Sequence, residues 1–60
     1  METKILIIDT DKSELRKLRE ILSREGYVVM TADDWKTAHK IGSQIHLDLV
    51  LCDISFLPDL

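Results

Sequence analysis

Sixty residues bound the chain to one small domain with a thin core, since a chain this short buries only roughly 60% of the surface it exposes when unfolded. Hydrophobic residues make up 45% and charged residues 32%, an ordinary globular balance that argues against disorder. A net charge of −3 with no basic cluster argues against direct nucleic-acid binding. Cys52 is the single cysteine, so neither an internal disulfide nor a zinc site is expected, and a reducing, cytoplasmic setting fits. No signal peptide is visible, and no apolar run is long enough to span a membrane.

Ile5-Leu6-Ile7-Ile8 reads as a strand buried on both faces. It stops at Asp9-Thr10-Asp11. Asp11 is placed to cap a helix, with Glu14 three residues on completing a capping-box-like pair. Leu15, Leu18, Ile21 and Leu22 form that helix's apolar face, and Gly26 ends it. Tyr27–Met30 reads as a second strand. Thr31–Asp34 offer capping oxygens for a second helix, whose apolar face is Trp35, Ala38, Ile41 and Ile45. Leu47–Cys52 is a third strand, ending at Asp53.

The order β-α-β-α-β implies a parallel sheet with right-handed crossovers. Placing the second and third strands on either side of the first gives the order 2-1-3. The first and third strands then leave a crevice between their carboxyl ends, where α/β proteins place their sites. Asp9, Asp11 and Asp53 all fall there. Clustered carboxylates repel one another and raise each other's proton affinity, so they call for a cation. Hard oxygen donors of this kind suit Mg²⁺ and phosphoryl transfer. No glycine-rich loop follows the first strand, which excludes a phosphate cradle. Taken singly, each aspartate is better explained as a helix-start or turn residue, and it is the three together at the crevice that favour function.

The chain resembles the receiver domain of bacterial two-component response regulators. The likeness rests on Lys4–Asp11, on Leu15–Leu22 with Gly26-Tyr27-Val28-Val29, on Asp48–Ile54, and on the 44-residue interval between Asp9 and Asp53. The resemblance implies the β-α-β-α-β half of a flavodoxin-like doubly wound sheet over residues 1–60. It implies that Asp53 is the phosphoacceptor, charged by a histidine kinase. Asp9, Asp53 and the backbone carbonyl of Ser55 would hold Mg²⁺.

Three departures from the family follow. Thr10 stands where the family carries a second acid, which weakens the metal site, and Asp11 compensates in part from a different register. Pro58 falls one residue later after the acceptor than is usual. A receiver also needs two more strands and three more helices, including a hydroxyl residue and a lysine at the phosphoryl group. The expectation is therefore a truncated fragment unable to switch. It would be completed by its own C-terminal half or by a second copy along the third strand's edge.

Two other functions compete. Thr10 allows a pseudo-receiver, an interaction module without phosphorylation. Asp9-Thr10-Asp11 also looks like the DxD motif of haloacid-dehalogenase-type phosphohydrolases, with Asp9 as nucleophile, Asp11 as acid/base and Thr31 as the hydroxyl, although no glycine-containing flap follows. His39 reads as a partly buried, hydrogen-bonded residue, Trp35 as a core or boundary aromatic, and Cys52 as a small buried hydrophobe.

Overall fold

A computed structural model describes residues 2–53, which form β1 (Lys4–Ile8), α1 (Lys12–Arg24), β2 (Val28–Ala32), α2 (Trp35–Gln44) and β3 (Leu49–Cys52). The three strands are parallel in the order β2-β1-β3, as expected with the second and third strands on either side of the first. β1 lies between the other two strands and is buried on both faces. Ile5 and Ile7 pack with Leu15, Leu18 and Leu22 of α1. Leu6 and Ile8 pack with Ala32, Ala38, Met30 and Ile41 on the α2 side. The two helices thus cover opposite faces, and residues 5 to 8 are each no more than 2% exposed.

Asp11 caps α1: its Oδ1 accepts the amides of Ser13 and Glu14 at 2.9 and 3.2 Å. Asp34 caps α2 by accepting the Thr37 amide at 2.6 Å. That backbone bond holds the Asp34 carboxyl below its usual 3.8. The end of α1 is a Schellman turn. Gly26 N–H donates to the Ser23 carbonyl, and Tyr27 N–H donates to the Leu22 carbonyl. Gly26 sits at φ +91°, where a side chain is strained even though a Cβ would meet nothing within 4 Å. We therefore expect Gly26→Ala to destabilise the fold by about 1–2 kcal/mol through backbone strain alone. Urea unfolding measures this, and an unchanged midpoint would contradict it.

Several expectations are corrected. β2 begins after Tyr27 and runs through Thr31 and Ala32, because β1 is long enough to pair Ile7 with Thr31 and Ile8 with Ala32. The strand therefore takes residues read as cap donors, and Asp34 alone caps α2. β3 begins at Leu49; before it, the Asp48 amide donates to the Lys4 carbonyl at 2.9 Å, and Asp48 Oδ2 accepts the Lys4 amide. Ile21 is 56% exposed and Trp35 46% exposed, so neither belongs to the core. His39 is exposed rather than partly buried, being next to Ala38 on α2 but turned away from the sheet. Cys52 is half-buried against the α2-side core, in keeping with a small hydrophobe.

Candidate functional site

The site arises where β1 and β3 end side by side. Ile8 and Cys52 are the last paired residues of these strands, and the Asp53 amide then donates to the Ile8 carbonyl at 2.9 Å. On the other side, the Asp9 amide donates to the Ala32 carbonyl at 3.1 Å. Asp9 and Asp53 therefore occupy the next rung of adjacent strands, which lie about 4.8 Å apart in a sheet. Side chains alternate along a strand, so both carboxylates share the face of Ile5 and Ile7, beneath α1.

There they line one open cleft of about 220 Å³, with Glu14 as a third carboxyl and Ile7, Leu18 and Leu51 as its apolar wall. Asp9 is 6% exposed, and its Oδ1 accepts the Asp11 amide at 3.0 Å, which fixes its direction. Asp53 is half-buried.

Glu14 is the site residue that the capping-box reading missed. Asp11 already accepts the amide of residue 14, and the Glu14 side chain turns instead toward Asp9. A hydrogen bond shared with the Asp9 carboxyl raises the proton affinity of Glu14 above its usual 4.5. The charge of Asp9, partial desolvation, and the more distant charges of Asp11 and Asp53 raise it further. Carboxylates therefore do crowd together here, but the three in the cleft are Asp9, Glu14 and Asp53. Asp11 is exposed and engaged at the helix start, and Thr10 is exposed beside it. Ser55 and Pro58 lie outside the described residues.

Among the described residues, no group of three or more His, Cys, Asp or Glu side chains is spaced as a ready-made metal cage. That is compatible with Mg²⁺. This ion ordinarily takes one or two carboxylates, keeps several waters and binds phosphoryl oxygens. Asp9 and Asp53 supply hard, anionic donors of that kind in one cleft, so the residues present fit the ion. A separate groove of about 370 Å³ lies on the other side of α1, where Lys12, Arg16 and Arg19 meet Asp33, Thr31 and Thr37. It shares no lining residue with the carboxylate cleft, so α1 separates a basic surface from an acidic one.

Among the described residues, no helix is long and apolar enough to cross a membrane. The family model described as "response regulator receiver domain" matches residues 5–60. Among curated proteins, the chain is similar to the transcriptional regulatory protein ResD of Bacillus subtilis (strain 168), with 38% identity over 53 residues. The match covers 88% of this chain and 22% of that protein, so the chain spans about a fifth of the relative's length. No solved structure gives a significant match.

Proposed function

The chain belongs to the response regulator receiver family of two-component systems, and on that footing we propose that Asp53 takes a phosphoryl group from a histidine kinase. The observation that supports this most is the placement of Asp53 and Asp9 side by side, just past the last paired residues of adjacent parallel strands, in one acidic cleft. An Asp53 carboxylate oxygen attacks phosphorus in line as the bond from phosphorus to the kinase imidazole breaks, leaving an acyl phosphate on this chain. Mg²⁺, when bound, neutralises charge on the phosphoryl oxygens. Asp9 and Asp53 are the side chains that would hold it, with the Ser55 carbonyl as a further ligand and Asp11 as a weaker contributor. The helix-capping role of Asp11 leaves Asp9 as the principal partner of Asp53.

The protein's own part is positioning. The β1–β3 ladder fixes the spacing of the two carboxylates, and the Asp11 amide orients Asp9. The family's phosphoryl-contacting hydroxyl and lysine would come from strands that pack beyond β3. The surface there suits such packing. Leu49 and Leu51 are 47% and 37% exposed on the α1 side of the sheet. Ile21, two helical turns after Glu14, is exposed on the same side of α1 as the cleft. Val50 is exposed on the opposite face. We read this edge as the contact for a C-terminal receiver half or for a second copy, and the setting as cytoplasmic. The phosphohydrolase reading loses ground because the Asp11 carboxylate is held by two helix amides. Thr10 keeps the pseudo-receiver as the second reading.

Incubating the intact protein with acetyl phosphate separates these readings. The phosphoacceptor reading expects a Mg²⁺-dependent mass increase of one phosphoryl group, lost on mild alkaline treatment. A protein that binds its partners normally yet takes no phosphoryl group from acetyl phosphate or from a kinase would establish the pseudo-receiver instead.

A further inference from the structure

Lys12, Arg16, Lys17, Arg19 and Arg24 put five of the chain's eight lysines and arginines on α1. Three of them, Lys12, Arg16 and Arg19, are exposed and line the groove of about 370 Å³ between α1 and the end of β2. Their spacing, i, i+4 and i+7, sets them in a row on one flank of the helix. Seven residues of helix rise about 10 Å, which is the length of the row. The buried Leu15 and Ala32 lie at the base of the groove, and Thr31, Asp33 and Thr37 form its far wall. We propose that this groove receives an acidic segment of a partner protein, one that presents a row of carboxylates to Lys12, Arg16 and Arg19.

The chain has 11 Asp and Glu residues and a net charge of −3, so carboxylates are plentiful. Yet among the described residues the one salt-bridge contact is that of His46 with Asp48. None of the three groove cations has a carboxylate within ion-pair distance, Asp33 included, and their charge is left for a partner. The row decides the class of that partner. Arginine presents a planar fork that matches a carboxylate, and arginine clusters are a recurring means of reading acidic motifs. A compact anion such as inorganic phosphate would engage only part of the row. A segment with Asp or Glu on successive helical turns, or at alternate positions of an extended strand, repeats its charge every 5–7 Å or about that, close to the rise between the cations. Asp33 repels an acid brought toward β2 and confines the partner's carboxylates to the α1 side. A nucleic-acid duplex would run on past α1 to Asp9, Glu14 and Asp53, which repel its phosphates. The groove and the acidic cleft share no lining residue, so a segment bound here leaves Asp53 open to a phosphodonor, and the proposal holds whether or not Asp53 is phosphorylated.

Fluorescence anisotropy of the intact protein tests this. The probe is a labelled synthetic helix of alanine and glutamate, with glutamates at i, i+4 and i+7, set against the same peptide with glutamine in their place. The unmodified protein is expected to bind the glutamate peptide in preference to the glutamine one, and less tightly as NaCl is raised. Two double variants are compared, each checked by circular dichroism for its helices. Arg16→Glu/Arg19→Glu is expected to weaken binding by about tenfold or more, since it turns two attractions into repulsions. Lys17→Glu/Arg24→Glu makes the same change of charge on α1 at exposed residues that line neither hollow, and is expected to weaken it by less than about twofold. Equal losses in the two variants would overturn the proposal, because the peptide would then be responding to net charge alone. Equal binding of the two peptides, or binding of neither, would overturn it as well. Displacement of the peptide by pyrophosphate or by a short DNA duplex at lower concentration than by unlabelled peptide would overturn it in favour of a phosphate-bearing ligand.

Discussion

Replacing Asp53 with Asn is expected to abolish stable phosphorylation by the histidine kinase, while leaving the fold in place. The side chain stands after the last strand pair, and the ladder there is closed by the residue's backbone amide, which the substitution keeps. An amide is uncharged and cannot act as the attacking oxygen, so no acyl phosphate forms. Asp9→Asn is expected to be milder in kind. It leaves the nucleophile but removes one of two carboxylates that would face the cation, so phosphorylation slows and needs more Mg²⁺. Phosphoryl transfer from a radiolabelled kinase, followed over a range of MgCl₂ concentrations, separates the two effects. Full phosphorylation of the Asp53→Asn protein would contradict the assignment of the acceptor.

The second large effect is on stability. Leu6→Ala is expected to cost about 2–5 kcal/mol, the range for truncating a fully buried leucine. Leu6 is 2% exposed and packs with Ile8, Ala32 and Ala38 at the centre of the α2-side core. Folded domains are stable by only about 5–15 kcal/mol, so a loss of this size from one side chain is a large share of the total. Ile21→Ala provides the comparison. Ile21 lies on the apolar pattern of α1 but is 56% exposed, and its removal is expected to change stability by no more than about 0.5 kcal/mol. Urea unfolding of the two variants side by side checks the contrast. A cost for Ile21→Ala as large as that for Leu6→Ala would mean that Ile21 is covered in the intact protein.

What the sequence revealed and what it hid have physical causes. Ile5–Ile8 were legible as a strand buried on both faces because both faces are apolar, but Leu49–Cys52 carries the same pattern, so apolarity alone did not decide which strand is central. The order 2-1-3 followed from placing the second and third strands on either side of the first, and with it the meeting of Asp9 with Asp53. The Asp11 cap was legible because a carboxylate before a helix has backbone amides to satisfy. Glu14 was not, because spacing alone cannot tell a reciprocal capping pair from a side chain turned toward a third residue. Deciding between them requires knowing that Asp9 already accepts the Asp11 amide. Ile21 was misread because a helical repeat of apolar residues is wider than the strip a three-stranded sheet covers. Leu15, Leu18 and Leu22 fall within that strip; Ile21 falls outside it and is left exposed. The boundary of β2 was misplaced because threonine serves a strand as readily as a cap, and pairing with Ile7 decided it.

The surfaces of α1 connect these points to signalling. One side carries Glu14 and closes the acidic cleft, while the other carries Lys12, Arg16 and Arg19 along a separate groove. A cation entering the cleft is attracted by the first and is kept from the second by like charge. At the edge strand, Leu49, Val50 and Leu51 are exposed.

The most direct measurement is borohydride trapping of the phosphorylated intact protein. Reduction of an aspartyl phosphate converts that aspartate to homoserine, and peptide mass spectrometry then places it in the chain. The account predicts homoserine at position 53 after treatment with phosphodonor and Mg²⁺, and none when Mg²⁺ is withheld. Homoserine at position 9 instead would contradict it and turn the site into that of a phosphohydrolase.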